Sequence, residues 1–410
     1  MKNLGENNFS IIHEGAAKIY IHSTDLNSIP SKSMTVFFNN KMEINRDVSN
    51  LAILAYNKLI NKNSLVIVDA MAASGASSMR MLKECKNIKK IYINDKNPLA
   101  VELLHKNIFL NDLSTHSAHI KISSKDANLL LHEIEQKSYH QPNNDDQKPN
   151  IISIDPFGSP NLYLDSAFKA IQGHNGLLCI TATDTAVLFG IRPKACIRKY
   201  LSKPLHNEYC KEIGARILLH FISSIANVNK LGIIPLLTFY SSHFIRVFCI
   251  TIKNKNEISK LIKNYGFIVH CKNCGHRYVV SNIISEIIHE CSKCNNKKID
   301  YAGPLWIGEI HSEDFVEELL NLIEETQLRN KKRITKLLNI ITEEIGMPIS
   351  YYNIHKLCQK IKIQHIPKLE KIIDGIKEEG YTCSRTHFNF LSIKTNLNIE
   401  KIKHYLMKIQ

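Results

Sequence analysis

The chain has 410 residues, enough for two or three domains that each bury a core. Fifty-three Lys and Arg against 38 Asp and Glu give a net charge of +15, which suits a polyanionic partner such as nucleic acid. No apolar run approaches the ~18 residues of a membrane span, and the opening MKNLGENNFSIIHEG lacks the basic-then-apolar layout of a secretory signal, so a cytoplasmic protein without membrane association is expected.

Residues 1–50 read as a small β-rich opening segment, with strands at Lys18–His22 and Met34–Phe38. A helical pattern runs over 47–62, with Asn45-Arg46-Asp47 just before it as a cap. A strand–helix rhythm follows. Strands are predicted at Leu65–Asp69, Lys90–Asn94, Ile120–Ser123, Ile151–Asp155 and Gly176–Thr181, with helices around 75–85, 97–110 and 160–172. The alternation implies a parallel sheet with helices on both faces. The polar stretch Gln136–Lys148 reads as an exposed loop. Gly232–Tyr240 and His243–Ile252 read as a hairpin, and a parallel sheet closed by such a hairpin is the Rossmann-like shape of class I methyltransferases.

The rhythm stops near residue 255, where the charged stretch Lys253–Lys263 leads into a cysteine cluster. This places a domain boundary between 1–255 and a smaller α+β domain over 256–410. In the latter, 311–328 and 331–345 read as helices, and 353–395 as helix, helix, hairpin, a winged-helix-like order.

Chemistry gathers at the strand ends. Val66 to Gly75 is a buried strand opening into a small-residue turn, where a ligand can approach the backbone. With Gly75 as its single glycine it is no pyrophosphate cradle. Asp95 ends the next strand, the usual place for an acid that grips ribose hydroxyls. Asp126-Ala127 follow the third strand, where an acid and an amide can hold an adenine edge. Each alone is equally a turn or a helix cap. Together they describe a site for an adenosine-containing cofactor, and S-adenosyl-L-methionine is the candidate because nothing here suits a triphosphate. Arg46 is then placed to reach the methionine carboxylate.

The fourth strand delivers Asp155-Pro156-Phe157: an acceptor for an N–H, a stiff turn and a stacking face. Those are the needs of a planar base with an exocyclic amine. Finally, Cys271-x2-Cys274 and Cys291-x2-Cys294, sixteen residues apart, match a closed four-thiolate Zn2+ site, structural because no position is left open for chemistry.

The chain resembles the tRNA (guanine-26-N2)-dimethyltransferase family in its archaeal form, over about residues 9–396. The resemblance rests on Asn45-Arg46-Asp47, DAMAASGASSMR (69–80), NDKNPLAVELLHKNIFLN (94–111), Asp126-Ala127-Asn128, DPFGSP (155–160), TATD (181–184), PLHNEYCKEIGARIL (204–218), the cysteine pairs, GPLWIG (303–308) and SRTHF (384–388). It implies cofactor contacts by Arg46, Asp69, the turn with Gly75 and Ser77, Asp95, Asp126 and Ala127. It implies Asp155 as catalytic carboxylate, zinc on the four cysteines, and a C-terminal domain that helps dock tRNA. No obligate protein partner is evident. Ser77 stands where the family often has arginine, leaving Arg80 as a substitute, and the opening motif reads FFNNKM rather than FYNPRM. On this reading Asp155 is the general base toward N2, and Phe157 stacks on the base or walls the pocket. The alternatives are transfer to another exocyclic amine, such as adenine N6, and a non-catalytic zinc-containing RNA-binding protein.

Overall fold

The computed structural model describes residues 9–25, 34–139, 148–281 and 290–409. It opens with the antiparallel hairpin β1 (Phe9–Glu14) and β2 (Ala17–His22), then helix α1 (Glu43–Ile60). The alternation follows as β3 (Leu65–Asp69), α2 (Ala76–Glu84), β4 (Ile88–Asn94), α3 (Pro98–Leu110), β5 (His119–Ser123), α4 (Ala127–Tyr139), β6 (Ile151–Ile154), α5 (Leu164–Ala170) and β7 (Leu177–Ala182). Helices α6 (Thr185–Leu188), α7 (Pro193–Tyr200) and α8 (Cys210–Val228) lead to the hairpin β8 (Gly232–Ser241) and β9 (Phe244–Ile252).

These strands form one sheet in the order β5-β4-β3-β6-β7-β9-β8. The pairs from β5 to β7 are parallel, and β9 runs antiparallel to both β7 and β8. All five residues of β3 (LVIVD) are buried, as a strand covered on both faces requires. Val66 and Val68 join a core with Ile152, Ile154, Ile180 and helix α8, whereas Leu65 and Ile67 face a second core with Ile91, Ile93 and α1. Each fully buried aliphatic side chain contributes roughly 1.5–3 kcal/mol by leaving water.

After α9 (Lys255–Leu261), strands β10 (Tyr265–Cys271), β11 (Arg277–Val280) and β12 (Ile299–Trp306) make a small sheet in the order β11-β10-β12. Helices α10 (Glu313–Glu324) and α11 (Lys331–Glu344) return to the large sheet: Phe315, Leu319, Ile334 and Leu338 belong to the same core as α1. The last unit comprises β13 (Tyr352–Asn353), α12 (Ile354–Lys360), α13 (Leu369–Glu378), β14 (Cys383–Arg385), β15 (Ser392–Thr395) and α14 (Ile399–Lys408), with strand order β13-β15-β14 and its own core. No helix among the described residues is long and apolar enough to cross a membrane.

Three local expectations change. Residues 34–38 form no strand, with bends at 34–36: Val36 packs against Ala100 and Leu103, while Met34 and Phe37 line a cavity. The apolar spacing there serves two surfaces, not a pleat. Asn45-Arg46-Asp47 lies inside the first turns of α1, which begins at Glu43, and so is not a cap. Helix α4 runs on to Tyr139 in the stretch read as loop, and 140–147 lie outside the described residues.

Candidate active site

Because β3, β4, β5 and β6 are parallel, the residues that follow them share one edge of the sheet. A cavity of about 490 Å³ opens there. Asp69, Asp95, Asp126 and Asp155 all line it, together with Arg46, Ser77, Ala127 and Phe157. Gly75 does not line it but makes the turn: its φ is +78°, and a Cβ would meet Leu104 Cδ2 at 2.3 Å.

The turns are stapled to each other by Asn94, fully buried at the end of β4. Its Nδ2 donates to the Ala70 and Lys125 carbonyls (3.1 and 2.9 Å), and its Oδ1 accepts from Ser123 Oγ and Lys125 N (2.7 and 3.2 Å). Asp95 accepts from the amides of Ala73 (2.9 Å) and Asn97 (2.8 Å), which fixes its carboxylate toward the cavity's β3 turn. Asp126 accepts from the Asn128 amide at 2.9 Å and so also starts α4. Asp69 is buried. Burial pushes its carboxyl up to about 6, helped by the charges of Asp155 and Asp95, against the 2.6 Å hydrogen bond donated by Ser78.

Asp155 follows β6 directly. Its loop is clamped by a 2.7 Å bond from the Gly158 amide to Thr183 Oγ1 and a 2.9 Å bond from the Thr183 amide to the Gly158 carbonyl. Asn45 Nδ2 donates to Asp155 Oδ2 at 3.3 Å. Phe157 is 47 % exposed, and its ring meets that of Phe37 edge-on at 4.3 Å between centroids. The fourth strand therefore delivers an anionic acceptor with an aromatic pair beside it.

The two arginines behave differently from their sequence reading. Arg46 lines the cavity but forks onto Glu14, Nε to Oε1 at 2.5 Å and Nη2 to Oε2 at 2.6 Å. Burial raises the Glu14 carboxyl, but Arg46 and Arg80 outweigh that and hold it below the usual carboxylate range. Arg80 is fully buried, paired with Glu14, Asp47 and Glu84, and absent from the cavity lining, so it does not replace the arginine missing at Ser77. Arg46 and Glu14 stand 32 positions apart, and their pairing leaves no local pattern.

Sequence reasoning missed Phe37, Asn94 and Arg246. Phe37 sat in a segment read as a strand. Asn94 stood beside the acid that drew attention. Arg246 lies mid-strand in β9, where alternation marks a core position; only a charge inside an apolar strand signalled it.

Far along the chain, the four cysteines converge. Their sulfurs all lie within 4.8 Å of one another, with Cys271–Cys294 at 3.6 Å and Cys274–Cys291 at 3.7 Å. The two knuckles repeat one geometry: amides of His276 and Lys293 each donate to a cysteine sulfur at 3.4 Å. Zn–S bonds of about 2.3 Å in a tetrahedron imply sulfur separations near 3.8 Å, so the donor set fits one metal ion. His270 instead hydrogen-bonds Tyr209 at 2.9 Å, and His289 lies outside the described residues.

Comparison with known proteins agrees with this architecture over nearly the whole chain. The tRNA (guanine(26)-N(2))-dimethyltransferase of Methanosphaera stadtmanae is 35% identical, covering 98% of this chain and 97% of its own. That of Methanobrevibacter smithii is 35% identical with 98% of both covered. The structure of Trm1 from Pyrococcus horikoshii in complex with S-adenosyl-L-methionine superposes with a TM-score of 0.80 at 29% identity, over 97% of this chain and 99% of that one. The sequence model of the family described as N2,N2-dimethylguanosine tRNA methyltransferase matches residues 15–407, and the chain belongs to that family.

Proposed function

We propose that this protein transfers methyl groups from S-adenosyl-L-methionine to the exocyclic N2 of guanosine 26 of tRNA, giving N2,N2-dimethylguanosine, with Asp155 as the catalytic carboxylate. The observation that carries the reading is the row of acids after four successive parallel strands, all lining one cavity in a chain of this family. The relatives' names favour guanine N2 over adenine N6 and an enzyme over a pure binding protein.

The cofactor, when bound, supplies an electrophilic methyl group on a sulfonium. Asp95 keeps lone pairs for ribose hydroxyls after accepting its two amides. Asp126 and the Ala127 amide suit an adenine edge, Asp69 and Ser77 line the turn, and Gly75 lets that turn form. Arg46 suits a carboxylate once it shares its fork with Glu14. The guanine N2 lone pair is delocalised into the ring. Asp155 accepts one N2–H, localises that pair and takes the proton as the methyl passes from sulfur to N2, the S–C bond breaking to leave a neutral thioether. Phe157 gives the base a stacking face, and positioning by the clamped loop supplies much of the rate. The base lies within folded tRNA and is extruded to reach the cavity.

The four cysteines hold a structural zinc. Residues 256–410 help dock the tRNA, chiefly through phosphates, and the +15 net charge favours that contact. The protein then works in the cytoplasm beside its substrate.

The test is methyl transfer from labelled cofactor to unmodified tRNA transcripts, with nucleoside analysis. N2-methylated guanosine from the wild type, lost in Asp155→Ala and in transcripts lacking guanosine 26, is expected. Label on another nucleoside overturns the target. Metal analysis should find one zinc per chain, lost in Cys271→Ser.

A further inference from the structure

We propose that Asn45, held by Thr181 and Arg246, is the positioning residue of Asp155: a buried donor relay on the cavity wall that keeps one carboxylate oxygen engaged and the other aimed at the base. The inference rests on the reading of Asp155 as the general base.

All three supporting side chains are buried, at 2 % exposure for Asn45, none for Thr181 and 2 % for Arg246. Arg246 Nη1 donates to Thr181 Oγ1 at 2.6 Å, and its Nη2 donates to Ser49 Oγ at 3.0 Å. Ser49 in turn donates to the Asn45 carbonyl at 2.6 Å, which fixes the turn of α1 that carries Asn45. The Asn45 amide then bridges Thr181 Oγ1 at 3.5 Å and Asp155 Oδ2 at 3.3 Å. It is the hydrogen-bond donor to Asp155 among the described residues.

Arg246 is unusual for a buried cation. Among the described residues it has no ion pair, and its Nε has no hydrogen-bond partner. A guanidinium desolvated without a carboxylate costs stability, offset in part by the Phe248 ring 4.9 Å from its Cζ. Here it sits in the wall of a cavity lined by four carboxylates, where its charge opposes the upward push that burial gives Asp69.

The other charged and titratable groups around Asp155 come from every neighbouring element. Asp69 from β3 and Asp95 after β4 are like charges. His243, in the β8–β9 turn, feels the Asp155 charge but is held below its ordinary value by burial and by Lys41. Arg46, Lys96, Lys125, Asp126 and Tyr163 complete the lining, with Arg46 tied to Glu14. Asn45 is the side chain that donates to Asp155, so its replacement should be read at the base.

The experiment is the pH profile of single-turnover methyl transfer to tRNA, with the cofactor affinity measured alongside. Asn45→Asp is nearly isosteric and sets a second carboxylate beside Asp155, so the two share a proton and the base is lost at higher pH. The acid limb should move up by about one pH unit or more. Thr181→Val adds no charge and removes the hydroxyl that anchors the amide; it should move the limb in the same direction and slow the plateau by about tenfold. A merely structural role lowers the plateau without moving the limb. If both variants keep the wild-type limb, the relay is overturned. Asp155→Asn separates the two ideas: if it remains active, the general-base reading fails and takes the relay with it, whereas an inactive Asp155→Asn with unmoved limbs overturns the relay alone.

Discussion

Arg80 and Arg246 are both buried guanidiniums, some distance apart in kind. Every nitrogen of Arg80 meets an acid: Nε and Nη2 donate to Glu84 (2.8 and 3.0 Å), and Nη1 donates to Asp47 (2.6 Å) and Glu14 (3.2 Å). It ties β1, α1 and α2 into one block behind the cavity. Arg246 meets two hydroxyls and keeps an unpartnered Nε, in a wall that faces four acids. A completed polar cluster serves the fold. An incomplete one, with its charges separated across a space, is arranged for something that enters that space.

Five variants bear on the contrast. Asp155→Asn should lower the single-turnover rate by about 10²–10⁴-fold, the usual contribution of a general base, while leaving the urea midpoint near the wild type. A large loss of stability instead would move Asp155 into the structural class. Arg80→Met leaves the buried Asp47 without its cation, while Glu14 keeps Arg46, and should cost about 3–5 kcal/mol of unfolding free energy. Arg246→Met strands no paired carboxylate and should cost only about 1–3 kcal/mol. Equal losses in urea titrations would break the comparison.

Asp69 sharpens it through pH. Its folded value, about 6, lies above the ordinary 3.8, so the fold prefers the protonated form. That contribution to stability is full below 3.8 and is lost as pH rises through about 6. Asp69→Asn should therefore be more stable than the wild type at pH 7.5 by about 1–3 kcal/mol, with the difference vanishing toward pH 3.5. No gain would mean the cavity acid is not strained. The smallest effect belongs to the rim: Phe157→Ala should weaken tRNA engagement by about 1–3 kcal/mol through lost stacking, visible in KM more than in stability.

Much of this was legible in the residues. Apolar β-branched runs ending in acids marked β3 and β6, because a parallel strand buried on both faces leaves only its end free for chemistry. Paired cysteines at fixed spacing marked their own convergence. What stayed hidden was whatever depended on distance along the chain. Arg46 is expected from the sequence to reach the cofactor carboxylate, yet Glu14 forks it from a separate hairpin. The Met34–Phe38 run alternated like a strand but wraps a cavity, since alternation reports two faces and not what covers them. Arg246 drew no reading from the sequence, because Thr181 and Ser49, which hold it, lie far from it along the chain.

The core shared by α1, α10 and α11 has a practical consequence for anyone dividing the molecule. A fragment ending at residue 255 would keep every acid of the cavity but would leave the side of α1 that packs on α10 open to water. Such a fragment is expected to self-associate or misfold rather than behave as a minimal enzyme. The last unit is the reverse case. With a separate apolar interior running from Tyr352 to Leu406, it is the piece most suited to being expressed, labelled and titrated with RNA by itself.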